Sequence, residues 1–245
     1  MPWARASSLH RQLECPASVY FPQADRGEWR PGFLGTDKPD GPAPPEDTSA
    51  ADWGTEMHLA MERSPDASEP WISYVEPHRT ATWPWGTGEH EVSASYDCRT
   101  GSVELFRGPR GEADAWKRSR GPDTVTGTND WVSDLAGIPW IGDLKTGWGR
   151  VYPRDNVQLL FGLLTHPSGL QWVHGGHVSI LWLPRRTNPT PGQLFDFVEP
   201  QGLLQFRRDL HAAWERAVVR GERTPIPGPH CNYCPSAQVC PAFGT

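Results

Sequence analysis

The sequence predicts an α/β fold, a mixed central sheet flanked by helices, and three observations lead there. Segments of strand length and character follow one another at 89–96, 102–106, 124–135 and 138–145. Residues 178–183 form a further, strongly apolar run of the same kind. Helical periodicity brackets these segments and is clearest over 201–220, where Leu203, Phe206, Leu210, Trp214 and Val218 recur at spacings of three and four. A chain of 245 residues with 37% hydrophobic content can bury one sizeable core, so a single domain is expected.

Taken in order, residues 5–20 read as a short helix that Ser7 or Ser8 can cap and that Cys15-Pro16 ends. From 30 to 52 the composition turns to Pro, Gly, Asp and Ser, with Pro42, Pro44 and Pro45 close together, which predicts a mobile loop. A helix is expected over 53–62. The next four segments suggest a meander of strands, the last two joined by the two-residue turn Ala136-Gly137. Between them, 107–120 reads as a long charged loop, with Arg107, Arg110, Lys117, Arg118 and Arg120 either solvated or touching phosphates. Pro153 suits the first position of a helix through 158–164, since its missing N–H is not needed there. The tail from Pro225 is rich in proline and cysteine.

The formal net charge of -6 argues against a general basic surface that coats nucleic acid, while leaving room for an enzyme whose cleft alone is basic. No run of about 18 apolar residues occurs, and the opening Met-Pro-Trp-Ala-Arg lacks the apolar stretch of a secretion signal. A cytoplasmic protein without membrane contact is expected. Five cysteines are too few and too clustered for a secreted disulfide scaffold, so metal ligation is the better reading. No Gly-x-x-x-x-Gly-Lys-Ser/Thr loop is present, which leaves any ATP-driven unwinding to a helicase partner.

The most informative segment is Gly127-Thr128-Asn129-Asp130, followed by Ile141-Gly142-Asp143-Leu144-Lys145. Alternation puts Asp143 and Lys145 on one strand face and leaves the Leu144 carbonyl at the same edge. A turn at Ala136-Gly137 places Asp130 opposite Asp143, with Cβ atoms about 5 Å apart. Two carboxylates that close repel unless a cation or proton lies between them, and such oxygen-rich sites suit Mg²⁺ or Mn²⁺. A metal there would acidify a bound water and clamp a phosphate oxygen, with the Lys145 ammonium serving the water or the transition state. The same residues also fit a hairpin whose polar groups merely face water. His58, at the end of Gly54-x-x-x-His58, is a candidate metal ligand or an ordinary helical histidine. Glu89 and Glu91 share a strand face, and Glu91 is preferred as an additional carboxylate. Gln158 can hydrogen-bond DNA or an active-site carboxylate, or lie exposed on its helix.

Cys231-x2-Cys234-x5-Cys240 in the tail and Cys15 near the other end supply four thiolates, which can hold a 4Fe-4S cluster or Zn²⁺, or stay unligated. One distant cysteine plus a C-terminal trio fits a cluster tying the two ends together better than the matched pairs of a zinc knuckle. Cys98 reads as a small core residue.

Together and in this order, Cys15-Pro16, Gly54 to His58, Glu91, Gly127-x-x-Asp130, Asp143-Leu144-Lys145, Gln158 and the three tail cysteines resemble the RecB-like, iron-sulfur branch of the PD-(D/E)XK nuclease superfamily. That branch includes the CRISPR-associated spacer-acquisition exonuclease and AddB-type nuclease domains, and the opening segment is similar to small phage nucleases. The resemblance implies a restriction-endonuclease-like fold over 1–245, with 1–29 and 221–245 forming the cysteine subdomain and 30–52 a flexible loop. It implies metal ligation by His58, Asp130, Asp143 and the Leu144 carbonyl, Lys145 serving the water and the transition state, and Gln158 in a glutamine motif. The implied reaction is hydrolysis of DNA to 5′-phosphate and 3′-hydroxyl, by an exonuclease on single-stranded or frayed DNA, in recombination, repair, phage DNA processing or CRISPR adaptation. One departure is Gly162, where the family often carries a tyrosine four residues after the glutamine. The rival readings are a non-catalytic nucleic-acid-binding module, an iron-sulfur redox sensor and a zinc-knuckle interaction protein.

Overall fold

Seven strands form one mixed sheet in the computed structural model, which describes residues 4–15, 17, 50–62, 64–69, 71–73, 75–76, 88–146, 151–183, 192–228, 231, 234, 240 and 242. Most of the loop expected over 30–52 lies outside these residues. The strands are β1 (Ala4–Arg5), β2 (Glu89–Asp97), β3 (Val103–Phe106), β4 (Thr124–Leu135), β5 (Ile138–Thr146), β6 (Gly176–Leu183) and β7 (Gly192–Val198). Their order is β3-β2-β4-β5-β6-β7, with β1 pairing β4 in parallel through Ala4 opposite Val125. Among the described elements, the α-helices are α1 (Leu9–Glu14), α2 (Ala50–Met61), α3 (Arg110–Ser119), α4 (Val157–Leu164), α5 (Gln171–His174) and α6 (Pro200–Trp214), and a short 3-10 turn, Ala6–Ser8, precedes α1.

The expected meander is corrected by the strand order. Both β3 and β4 are antiparallel to β2 and lie on either side of it, so they run parallel to each other. Parallel strands need a crossover of a dozen or so residues, usually helical. That crossover is α3, so the stretch 107–120, expected as a loop, folds largely as a helix. A second parallel connection, from β5 to β6, carries α4 and α5.

Alternation along the strands divides the core between the two faces. On one face Met57, Ala60 and Met61 of α2 pack with Trp131, Trp140, Leu144, Leu181 and Leu183. On the other, Ile141, Val178, Ile180 and Trp182 meet Leu9, Leu159, Leu163, Leu203, Phe206 and Leu210 from α1, α4 and α6. Each such aliphatic side chain contributes about 1.5–3 kcal/mol on burial. Helix α4 starts later than Pro153 suggests. Asn156 is its cap, the side chain accepting from the N–H groups of Gln158 and Leu159 at 3.0 and 3.3 Å. Helix α6 begins on Pro200 and continues as a π-helical stretch, Glu215–Val219. Cys98 is buried in the core, as expected.

Candidate active site

Strand β4 has two neighbours along one edge, and the space between them is where the site lies. β1 pairs with Val125 and Thr126, whereas the β5 ladder runs only from Trp131–Gly142 to the turn. Residues 127–130 fall between. The turn forms at Ala136 and Gly137, both at positive φ (49° and 83°), so the register matches the expected one. The ladder nevertheless ends one residue before Asp130 and Asp143 would pair. Asp130 instead accepts the Leu144 N–H on Oδ2 at 2.7 Å, which fixes its carboxylate at the opening of the fork.

Two glycines let neighbouring elements approach this fork. A Cβ on Gly127 would lie 2.6 Å from the Ala6 Cβ, so the N-terminal segment crosses β4 at that point. A Cβ on Gly54 would lie 3.1 Å from Thr146 Oγ1, which sets α2 against the end of β5 and brings His58, one turn on, over the fork. His58 Nδ1 is 3.4 Å from Glu91 Oε1, and Nε2 is 3.9 Å from Asp130 Oδ2.

Glu91 reaches this position through an unusual backbone. Its φ is 52°, in a strand, and it interrupts the β2–β4 ladder directly across from Asp130. A non-glycine residue there stores strain of about 1–3 kcal/mol, which persists only where surrounding structure enforces it. Glu89 goes elsewhere and pairs with Arg107.

On the other side of the fork, Lys145 Nζ lies 2.9 and 2.8 Å from the two oxygens of Asp143 and donates to Gln158 Oε1 at 3.2 Å. Asp143 is 2% exposed, and its Oδ2, although close to the ammonium, has no hydrogen bond of acceptable geometry. A buried carboxylate oxygen left in that state is a natural ligand. His58, Glu91 and Asp130 bring one ligand atom each within 4.8 Å of one another, the sole such group of three among the described residues. Nitrogen and carboxylate donors of this kind fit Mg²⁺ or Mn²⁺.

The electrostatics agree with a site built for a cation. Burial lifts Asp130 to about 7, the nearby Asp143 and Glu91 adding to the shift and His58 opposing it. Burial disfavours the His58 imidazolium, but Asp130, Glu91 and Asp143 outweigh it and raise its pKa to about 9. For Lys145, burial is again overcome, and Asp143 and Asp130 raise its pKa. Glu62, one turn after His58 on the same helix face, was missed by sequence reasoning. Burial and a hydrogen-bonded Glu91 push it up to about 8. The His58-x-x-x-Glu62 spacing was the available signal.

Gly162 packs where a Cβ would meet Asn129 Oδ1 and Ile141 Cγ2, each at 2.7 Å. A tyrosine has no room there, and Phe161 is wholly buried. Neither residue offers a ring to a ligand.

The cysteines are placed differently. Cys15 ends α1, buried, and its sulfur accepts the Ile226 N–H at 3.4 Å; Cys231 accepts the Gly228 N–H at 3.4 Å. Cys234 and Cys240 are partly buried. The ends of the chain therefore meet, but among the described residues no three of the cysteine sulfurs lie within 4.8 Å of one another.

A family model of the PD-(D/E)XK nuclease superfamily matches residues 6–241. No curated protein matches the chain. Among solved structures, one described as the crystal structure of SSO0001 is similar, at 13% identity and a TM-score of 0.42, covering 98% of this chain and 86% of that one. No helix among the described residues is long and apolar enough to cross a membrane.

Proposed function

Since the chain belongs to the PD-(D/E)XK nuclease superfamily, we propose that it is a Mg²⁺- or Mn²⁺-dependent deoxyribonuclease, an exonuclease acting on single-stranded or frayed DNA ends. The observation that carries this reading is the convergence of His58, Glu91 and Asp130 with the Asp143–Lys145 pair at the fork between β4 and β5. A divalent ion held by His58, Asp130, Asp143 and the Leu144 carbonyl, with Glu91 beside it, would supply Lewis acidity to the phosphate and lower the pKa of a water. Asp143 contributes the buried oxygen that lacks a hydrogen bond. Asp130 is oriented for its part by the Leu144 N–H.

Lys145 remains a charged ammonium, with protons directed to Asp143 and Gln158 and a third available. That proton can orient the attacking water or stabilise a phosphate oxygen as negative charge builds. Gln158 acts as a positioning residue by accepting from Lys145. Hydrolysis then leaves a 5′-phosphate and a 3′-hydroxyl. The cleft above the fork, about 260 Å³, is bounded by α3 and the Arg5–Ser7 segment.

Apart from the fork, Cys15, Cys231, Cys234 and Cys240 are assigned to a 4Fe-4S cluster that staples the termini, as in the iron-sulfur branch of the superfamily, with Zn²⁺ the alternative occupant. The meeting of Cys15 with Ile226 across the length of the chain supports this. A structural role follows from its position, since no cysteine belongs to the fork.

Calorimetric titration with Mn²⁺ tests the active-site assignment. The wild type should bind with 1:1 or 2:1 stoichiometry, His58→Ala and Asp130→Asn should weaken binding at least tenfold, and cleavage of end-labelled DNA should follow metal occupancy. Unchanged Mn²⁺ affinity in both variants would remove the site.

A further inference from the structure

Helix α3 presents one face to the cleft. Arg110, Ala113, Asp114 and Lys117, at the i, i+3, i+4, i+7 spacing, all line the same space as His58 and Asp130. Three contacts hold the helix in this orientation. Trp116 stacks on Phe106 of β3 with centroids 5.6 Å apart, Ala113 is buried, and Lys117 Nζ donates to Thr128 Oγ1 at 3.0 Å. Thr128 lies two residues before Asp130, so the helix is fastened to the strand that carries a candidate ligand.

The cations of this segment divide by partner. Arg107 pairs with Glu89; Arg120 pairs with Glu104 and lies 4.7 Å over the Trp116 ring; Lys117 bonds Asp114 at 2.9 Å. Arg118 is exposed and lies off the cleft. The Arg110 side chain is exposed, lines the cleft, and forms no ion pair or hydrogen bond with any described residue, although its charge acts at longer range on Glu91 and Asp114.

A phosphodiester chain approaching this site meets Glu62, Glu91, Asp130 and Asp143, in a chain whose net charge is -6. Cations on the rim are needed to offset that repulsion, and Arg5 on the facing wall and Lys117 supply part of it. An arginine with its fork of donors uncommitted is the group best suited to a phosphate.

Resting on the nuclease reading above, we infer that Arg110 binds a backbone phosphate next to the scissile one, with Lys117 as a second contact, making α3 the clamp for the substrate strand. This role belongs to substrate binding. It predicts changes in KM and in salt dependence, with the rate at saturation kept.

The test uses the full-length protein with Mn²⁺ on end-labelled single-stranded DNA, comparing wild type, Arg110→Ala, Arg110→Glu and Arg118→Ala. Arg110→Ala should raise KM about tenfold, the loss expected for one hydrogen-bonded charged contact, while kcat stays within about twofold. The slope of log affinity against log salt should fall by about 0.7, one phosphate contact on a single strand. Arg110→Glu should be worse, and Arg118→Ala should match the wild type. If Arg110→Ala and Arg110→Glu both match the wild type, or both lower kcat with KM and salt slope unchanged, the clamp is wrong while the nuclease reading stands. A wild type that binds and cuts no DNA overturns both.

Discussion

The fork between β4 and β5 and the cysteine-bearing ends are both candidate metal sites, yet the chain prepares them differently. At the fork, backbone and side chains already hold the ligands. Leu144 N–H orients Asp130, Lys145 and Gln158 secure Asp143, and hydrophobic packing lies on both faces of the same strands. At the ends, two thiols are met by single backbone N–H groups, and no three sulfurs lie within 4.8 Å of one another among the described residues. The fork thus holds its candidate ligands in place in advance, whereas under the proposed staple the thiols would reach their final geometry only as a metal binds.

The largest separation of the two should come from removing one ligand at each. Asp130→Asn should lower kcat by about 10²–10³-fold, the scale for one electrostatic group in a reacting site, with little change in melting temperature. Cys234→Ala should do the reverse. Its cluster absorbance and solubility should fall together, and Tm should drop by more than the roughly 2 °C that 1 kcal/mol represents in a chain of this size. A Cys234→Ala protein that stays folded, active and as stable as the wild type would dissolve the staple.

A pH series sharpens the contrast. Without an ion, Asp130 holds its proton up to about pH 7 and His58 up to about pH 9. Both must release protons to ligate, so Mn²⁺ affinity should rise with pH from 6 to 8.5, by about tenfold per unit for each proton displaced. Calorimetry in buffers of different ionisation enthalpy reads that release directly. A pH-independent affinity would mean that these groups do not bind the metal.

The smallest effect is expected behind the fork. Gly162→Ala should cost about 1–3 kcal/mol through overpacking against Asn129 and Ile141, seen as a lower Tm, while the folded protein keeps its kcat.

Legibility in the sequence followed how local each determinant is. The β4–β5 hairpin was readable because turn chemistry and alternation fix its register, and the Asp143–Lys145 pair follows from alternation alone. Its limit was the divergence of the strands just past Trp131, which a tertiary contact of Asp130 with Leu144 decides. Helix α3 escaped because its apolar anchors are only Ala113 and Trp116 in an otherwise charged segment, and its Pro109 cap makes no side-chain hydrogen bond. The length of 107–120 was itself the clue to a parallel crossover. For α4, Asn156 as a cap outweighed Pro153 as a first residue. Glu91 was chosen for its place in the strand, but its positive φ was invisible, since alternation gives it the same face as Glu89. No spacing rule states how far Cys15 lies from the tail, and that distance depends on the whole fold.

The central claim is that the fork hydrolyses phosphodiesters and that Lys145 takes part in the reaction as well as in holding Asp143. The direct test is cleavage of end-labelled single- and double-stranded DNA with Mn²⁺ or Mg²⁺ by anaerobically purified wild type and Lys145→Ala. The account predicts metal-dependent cleavage by the wild type, and a loss of at least about 10²-fold in a variant that is folded and still binds Mn²⁺. Folded, metal-loaded wild type that cuts neither substrate, or a Lys145→Ala variant that cuts as fast, would contradict it.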